Sequence, residues 1–268
     1  MKKIIAGLML VGAAALVPLI AQAQVSFSVS IAPPALPYYA QPEIPGDGYI
    51  WAPGYWSWNA GQGDYYWVPG TWVLAPYQGA LWTPGYWGWS GGYYGWSRGY
   101  WGTHIGYYGG VNYGFGYSGV GYQGGYWNHG AFNYNGNVNN VRNINSTHIY
   151  NQRVTYNNTS RVSYNGGQGG FAMQPSKNEQ RIAAMPHQVQ TERQLNHENV
   201  SRSTETQRSS FNRGMPPVAA TQEPGKFSPP NVQAARYEPA HASNQQHQVS
   251  SYQGGSHGGG GGGGAHRK

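Results

Sequence analysis

Cysteine is absent from the 268 residues. That excludes a disulfide-stapled module and any zinc or iron–sulfur site built on thiolates. Charge is scarce as well: Asp, Glu, Lys and Arg make up 9% of the chain, against about 25% in an ordinary soluble domain. Long amphipathic stretches of Leu, Ile, Ala and Val are missing after residue 23, which excludes a helix-rich α/β enzyme. Glycine shows no three-residue period, so the chain is not collagen-like. There is no G-x-S-x-G elbow, no H-E-x-x-H pair and no phosphate loop. The chain is therefore expected to have no catalytic residues, no cofactor and no metal site. His241, His247, His257 and His266 stand in a polar tail at spacings that match no ligand motif.

What is present is glycine and large aromatics: 42 Gly, 23 Tyr and 11 Trp. The first 23 residues have the form of a secretory signal. Lys2 and Lys3 precede an apolar run from Ile4 to Ile20, and Ala21-Gln22-Ala23 forms an A-x-A cleavage site. The run is short for a membrane anchor, so the chain is expected to be exported, to start at Gln24 and not to span a membrane after cleavage. Residues 24–47 form a Pro-rich, extended lead-in. Residues 48–103 hold a repeat, and residues 104–165 are rich in Gly, Tyr and Asn with strand signals. Residues 166–268 are polar and low in apolar residues, end in a Gly-rich run, and are expected to be mostly disordered. Of the 16 Lys and Arg, 13 lie beyond residue 141, whereas every Trp lies before residue 128. A single-strand nucleic-acid binder interleaves basic and aromatic residues, so nucleic acid is not expected as a partner.

The repeat is short and exact in spacing. Trp51-Ala52-Pro53-Gly54-Tyr55-Trp56 recurs as Trp67-Val68-Pro69-Gly70-Thr71-Trp72 and as Trp82-Thr83-Pro84-Gly85-Tyr86-Trp87. A fourth copy, Trp96-Ser97-Arg98-Gly99-Tyr100-Trp101, carries Arg in place of Pro. Tyr49, Tyr65 and Tyr94 stand two residues before the first Trp of three copies, and Ala80 takes that place in the third. Two local structures fit. Pro-Gly suits a type II turn, with Gly at positive φ and the two Trp of one copy facing each other. Alternatively, Pro-Gly is a bulge within one longer strand, because type II turns match strand twist poorly. Both give a mostly β protein, a meander of short antiparallel strands. An outer-membrane barrel needs strands of ~9–11 residues, and Pro-Gly interrupts too often for that.

The W-x-x-G-x-W units, three of them preceded by Y-x, resemble the bacterial YXWGXW repeat-containing family. The likeness covers residues 49–102. Gly106 to Trp127, Asn139-Asn140-Val141, Ser160 to Gly167 and Val218 to Gly225 are similar to the continuation in exported members. The resemblance implies an exported envelope or extracellular protein with no established activity. This chain lacks the lipoprotein Cys that some members carry.

Beyond the repeat, Tyr113, Phe115 and Tyr117 alternate with glycines, a period of two that predicts a strand with an aromatic face and a flat face. Something can approach a glycine face closely, either a sheet of the same molecule or a second copy. Val154-Thr155-Tyr156 and Val162-Ser163-Tyr164 are short strand signals. Ser176 to Glu179 forms a capping box before a helix stopped by Pro186. Val189 to Phe211 holds only Leu195 and Val200 as interior apolar anchors, which predicts a marginal helix. The expected function is that of a non-enzymatic structural or interaction protein of the periplasm, envelope or exterior. Its partners would be envelope proteins or itself, through the aromatic–glycine surface. The alternative is a module binding glycans or anionic cell-wall polymers on exposed Trp and Tyr faces. The residues that carry either reading are Trp51, Gly54, Trp56, Trp67, Gly70, Trp72, Trp82, Gly85, Trp87, Trp96, Gly99 and Trp101.

Overall fold

The computed structural model describes residues 25–155 and 159–237. The candidate signal peptide, Tyr156 and the His- and Gly-rich end lie outside the described residues. The chain begins with β1 (Val25–Val29) and continues as an extended Pro-rich segment to residue 45. Proline supplies no backbone N–H, so this segment joins no regular ladder. Instead its carbonyls serve as acceptors for the elements that follow.

Two long hairpins form the centre. The first comprises β2 (Tyr49–Ala52), β3 (Tyr55–Asn59), β4 (Asp64–Val68) and β5 (Gly70–Leu74). The second comprises β6 (Leu81–Thr83), β7 (Tyr86–Ser90), β8 (Tyr93–Ser97) and β9 (Tyr100–Gly102). Within each, the outer strands pair and the inner strands pair, all antiparallel: β2 with β5, β3 with β4, β6 with β9 and β7 with β8. Both arms break at the same level, at Pro53-Gly54 and Pro69-Gly70 in the first hairpin and at Pro84-Gly85 and Arg98-Gly99 in the second. Trp51 lies opposite Trp72 and Trp56 opposite Trp67; Trp82 lies opposite Trp101 and Trp87 opposite Trp96. No residue is gained or lost across the interruption, so the register runs on.

This corrects the turn reading of the repeat. None of Gly54, Gly70, Gly85 or Gly99 is among the glycines with positive φ, and the two Trp of one copy do not face each other. Pro-Gly is a break in a longer arm. It also differs from a bulge, because a bulge sets two residues against one and here both arms break alike.

Glycine does supply positive φ at the hairpin tips, at Gly63 (φ 63°) and at Gly91 and Gly92 (φ 58° and 95°). The Tyr113–Tyr117 alternation is also not one strand. It reverses in the middle, as β10 (Asn112–Gly114) and β11 (Tyr117–Ser118) pair antiparallel. Gly114, Phe115 and Gly116 all take positive φ. Gly116 lies against the backbone of Gly124, so here the close approach to glycine comes from the same molecule.

A second small sheet follows: β12 (Gly125–Asn128), β13 (Ala131–Asn135) and β14 (Ile149–Tyr150). His129 (φ 44°) and Gly130 (φ 89°) form the two-residue turn between the first two, the preferred hairpin geometry. The sheets are not purely antiparallel. β14 runs parallel to β13, and β15 (Tyr164–Asn165) runs parallel to β7. Val154-Thr155 lies in no strand.

The largest correction concerns the second half of the chain. Residues 166–237 are folded. They contain α1 (Lys177–Ala183), α2 (Glu192–Ser203), α3 (Ser209–Asn212), β16 (Ala220–Thr221) and β17 (Val232–Gln233). The predicted capping box at Ser176 and Glu179 starts α1. A second box, Thr191 with Gln194, starts α2. β16 then adds to β5 in parallel, and β17 pairs with β16. Expecting disorder from low apolar content failed because α2 turns polar residues inward: Gln194, His197 and Ser201 are its buried positions, while Leu195 is 39% exposed. No helix among the described residues is long and apolar enough to cross a membrane.

Candidate functional site

The repeat residues come together as two mutually seated pairs of copies. In the first hairpin the leading Trp of each copy lies over the glycine of the other. A Cβ built on Gly70 would sit 2.5 Å from Cζ2 of Trp51, and one on Gly54 would enter the ring of Trp67. The second hairpin repeats the arrangement: Gly85 faces Trp96 and Gly99 faces Trp82, each with 2.5 Å to Cζ2. Real Cβ contacts are longer than this, so the glycine is required by a neighbouring ring and not by its own φ. The backbones also close in, since a Cβ on Gly54 would be 2.8 Å from the amide nitrogen of Gly70.

The trailing Trp of each copy completes the contact. Trp51 meets Trp72 and Trp56 meets Trp67 edge to face, both at 5.2 Å between ring centres. Trp82 meets Trp101 at 5.3 Å and Trp87 meets Trp96 at 5.4 Å, tilted by 54° and 53°. Such pairs contribute about 0.5–1.5 kcal/mol each beyond the area they bury. All eight rings are buried, the most accessible being Trp96 at 6%. The two hairpins are joined by the same side chains: Trp87 Nε1 donates to the carbonyl of Trp56 at 2.8 Å, and Tyr55 stacks on Trp96 at 4.9 Å.

Buried indole N–H groups need acceptors, and the flanking segments supply them. Trp56 Nε1 donates to Ala35 O and Trp72 Nε1 to Pro42 O, both in the lead-in. Trp67 Nε1 donates to Ala219 O at 2.9 Å, an oxygen that also accepts from the amide of Gly70. Trp101 Nε1 donates to Oε1 of Gln194. Trp51 Nε1 is buried with no hydrogen-bond partner among the described residues.

Residues of the second half that the sequence reading passed over hold this covering in place. Glu198 accepts from the hydroxyls of Tyr55, Ser57 and Tyr66 and pairs with Arg202 at 3.6 Å. Gln207 donates to the carbonyls of Trp67 and Val218. His197, 2% exposed, donates from Nε2 to Pro69 O at 2.9 Å and accepts from the amide of Gly225 at Nδ1 at 2.8 Å. These two bonds fix the neutral tautomer. Burial holds the imidazole's pKa down to about 4, against a small opposing effect of Pro69 O. Tyr39, whose hydroxyl accepts from the amide of Gly54, is pushed up to about 12 by burial. Burial, then the charge of Glu198, raises Tyr55 well above the ordinary tyrosine value. The one sequence signal for these residues was the Thr191-x-x-Gln194 capping box. Hydrophobic periodicity gives none, because the inward face is polar.

The junction offers little space. Two crevices, both touching Pro53, Tyr55, Trp82 and Gln190, have volumes of about 10 and 20 Å³, enough for a water and not for a sugar ring. Among the described residues no three His, Asp or Glu side chains gather where they could hold a metal ion. No curated protein and no solved structure matches the chain. Residues 46–73, the first mutually seated pair, match the WXXGXW repeat in two copies.

Proposed function

We propose that the protein is an exported, non-enzymatic structural or interaction protein of the cell envelope or exterior, meeting envelope proteins or a second copy through its aromatic and glycine-rich strands. The observation that supports this reading is the burial of all eight repeat tryptophans against one another. Sugar-stacking rings must be accessible, and these serve the interior. What faces outward are the rims: Trp89 and Tyr93 at the tip of the second hairpin and Tyr126 on β12, 38%, 55% and 48% exposed. Exposed aromatics at open strand ends favour association with other chains. Export rests on the Lys2–Lys3, apolar run and Ala21-Gln22-Ala23 pattern.

Two measurements test the proposal. Mass spectrometry of the natural protein is expected to find a chain starting at Gln24 outside the cytoplasm; an intact Met1 terminus refutes export. Sedimentation of the mature protein across a concentration series, with capture from envelope extract, is expected to show association that Tyr93→Ser weakens. A monomer at all concentrations that captures no envelope protein refutes the interaction role.

A further inference from the structure

The β12–β13–β14 sheet has two faces of different chemistry. Trp127, Phe132, Tyr134 and Ile149 point to one side and pack into the core. The pairing register puts the remaining residues on the other side. Tyr126 stands opposite Asn133, Asn128 opposite Ala131 and Asn135 opposite Tyr150. The rings of Tyr126 and Tyr150 lie 5.2 Å apart, tilted by 53°. Tyr126 is 48% exposed, Asn128 is exposed, and Asn133 and Tyr150 are half-buried. No residue of this outer face carries a charge.

We propose that this outer face is a binding site for a neutral pyranose glycan, with Tyr126 and Tyr150 as stacking rings and Asn128 and Asn133 as hydrogen-bonding flanks. The aromatic face is electron-rich and attracts the polarised C–H groups of a sugar ring. Tyrosine offers that area at a low entropic cost, since only two torsions are fixed. A carboxamide donates and accepts at once, which suits hydroxyl and acetamido groups alike. An uncharged lining favours a neutral polymer over an anionic one.

The site is also preorganised. Asn135, fully buried, donates to the carbonyls of Gln123 and Gln152 and accepts from the amides of Asn137 and Gln152. That network fixes the end of β14 beside β13, and with it the position of Tyr150. Rings already held in place lose little freedom on binding.

This inference is independent of the repeat core; it shares Tyr126 with the rims named above, whereas the association role is tested at Tyr93. Titration calorimetry of the mature, full-length chain with cellohexaose and with N-acetylchitohexaose is the test. Saturable binding of at least one is expected. Tyr126→Ala should weaken it by roughly tenfold, while Tyr126→Phe should retain it and Trp89→Ala should leave it unchanged. Tyr126 is exposed, so the thermal midpoint of Tyr126→Ala should stay that of the parent. Lack of saturable binding of both sugars at millimolar concentration overturns the proposal. So does binding that Tyr126→Ala leaves at the parent's strength, or that Trp89→Ala abolishes. Self-association that persists while sugar binding fails overturns this site alone.

Discussion

The repeat core and the segment that covers it solve the same problem with opposite chemistries. Residues 49–102 bury tryptophan against tryptophan and against glycine. Residues 176–236 bury Gln194, His197, Ser201 and Gln207 and expose Leu195 and Phe211. The core gains from area removed from water, which is forgiving of direction. The cover gains from hydrogen bonds, each modest when made and costly when one partner is lost. The indole N–H groups link the two, because the rings are apolar bodies with one polar edge. The cover is thus folded onto the core by the core's own polar leftovers.

If that division is right, truncating a core ring is the most damaging change. Trp67→Ala removes a ring packed on Trp56 and Gly54 together with the bond to Ala219 O. It should cost about 3–5 kcal/mol in urea unfolding. Leu195→Ala, at an exposed aliphatic position of α2, should cost less than about 0.5 kcal/mol. Equal losses would erase the contrast.

The cover should respond to acid in a way the core does not. His197 titrates near 4 in the folded chain and near 6.5 when unfolded, so the unfolded chain binds the extra proton between those values. Its contribution is complete above pH 6.5 and is lost as pH falls toward 4, about 3 kcal/mol in all. Unfolding measured from pH 7.5 to 4.5 should show this slope, and His197→Gln should flatten it. A slope unchanged in His197→Gln would mean that other groups carry it.

Gly70→Ala sharpens the account of the glycine seat. The new methyl meets Trp51 at 2.5 Å, an overpacking that should cost about 1–3 kcal/mol. Gly46→Ala meets nothing within 4 Å and needs no positive φ, and should shift stability by under about 0.5 kcal/mol. Among the damaging changes, the mildest expected is Glu198→Gln. It leaves one oxygen to accept from Tyr55, Ser57 and Tyr66 and should cost about 1 kcal/mol. Near-ultraviolet circular dichroism of Tyr55 and Tyr66, which α2 orders, reads the loosening directly.

The sequence made the core legible and the cover largely illegible, and the reason is physical. Trp and Gly at fixed spacing are rare residues in a rare pattern, so the repeat, its short strands and its members could be read directly. Which Trp faced which could not be read, because local turn preference argued for pairing within a copy. The positive φ expected at Gly70 was the visible part of that error. Only the position of Trp51, nineteen residues earlier in the chain, explains the glycine. For α2, counting apolar residues measured the wrong quantity. His197 and Gln194 are buried because specific carbonyls and indoles wait for them, and a sequence window contains neither partner. The parallel additions of β15 and β16 were hidden for the same reason, since two residues of strand carry no period.

The swapped seating also bears on where the chain tolerates length change. The leading Trp of one copy must reach the trailing Trp of its partner at both ends of the hairpin at once. Each copy is therefore a ruler for the other, and an inserted residue inside one would break a pair unless its partner gained one too. Residues between copies face no such constraint, because a longer tip or linker displaces no pairing. The four copies here keep five residues from Trp to Trp without exception, while the intervals from copy to copy drift. Insertions and deletions should accumulate at Ala60–Gly63, Ala75–Gly79 and Gly91–Gly92, and be purged between Trp51 and Trp56.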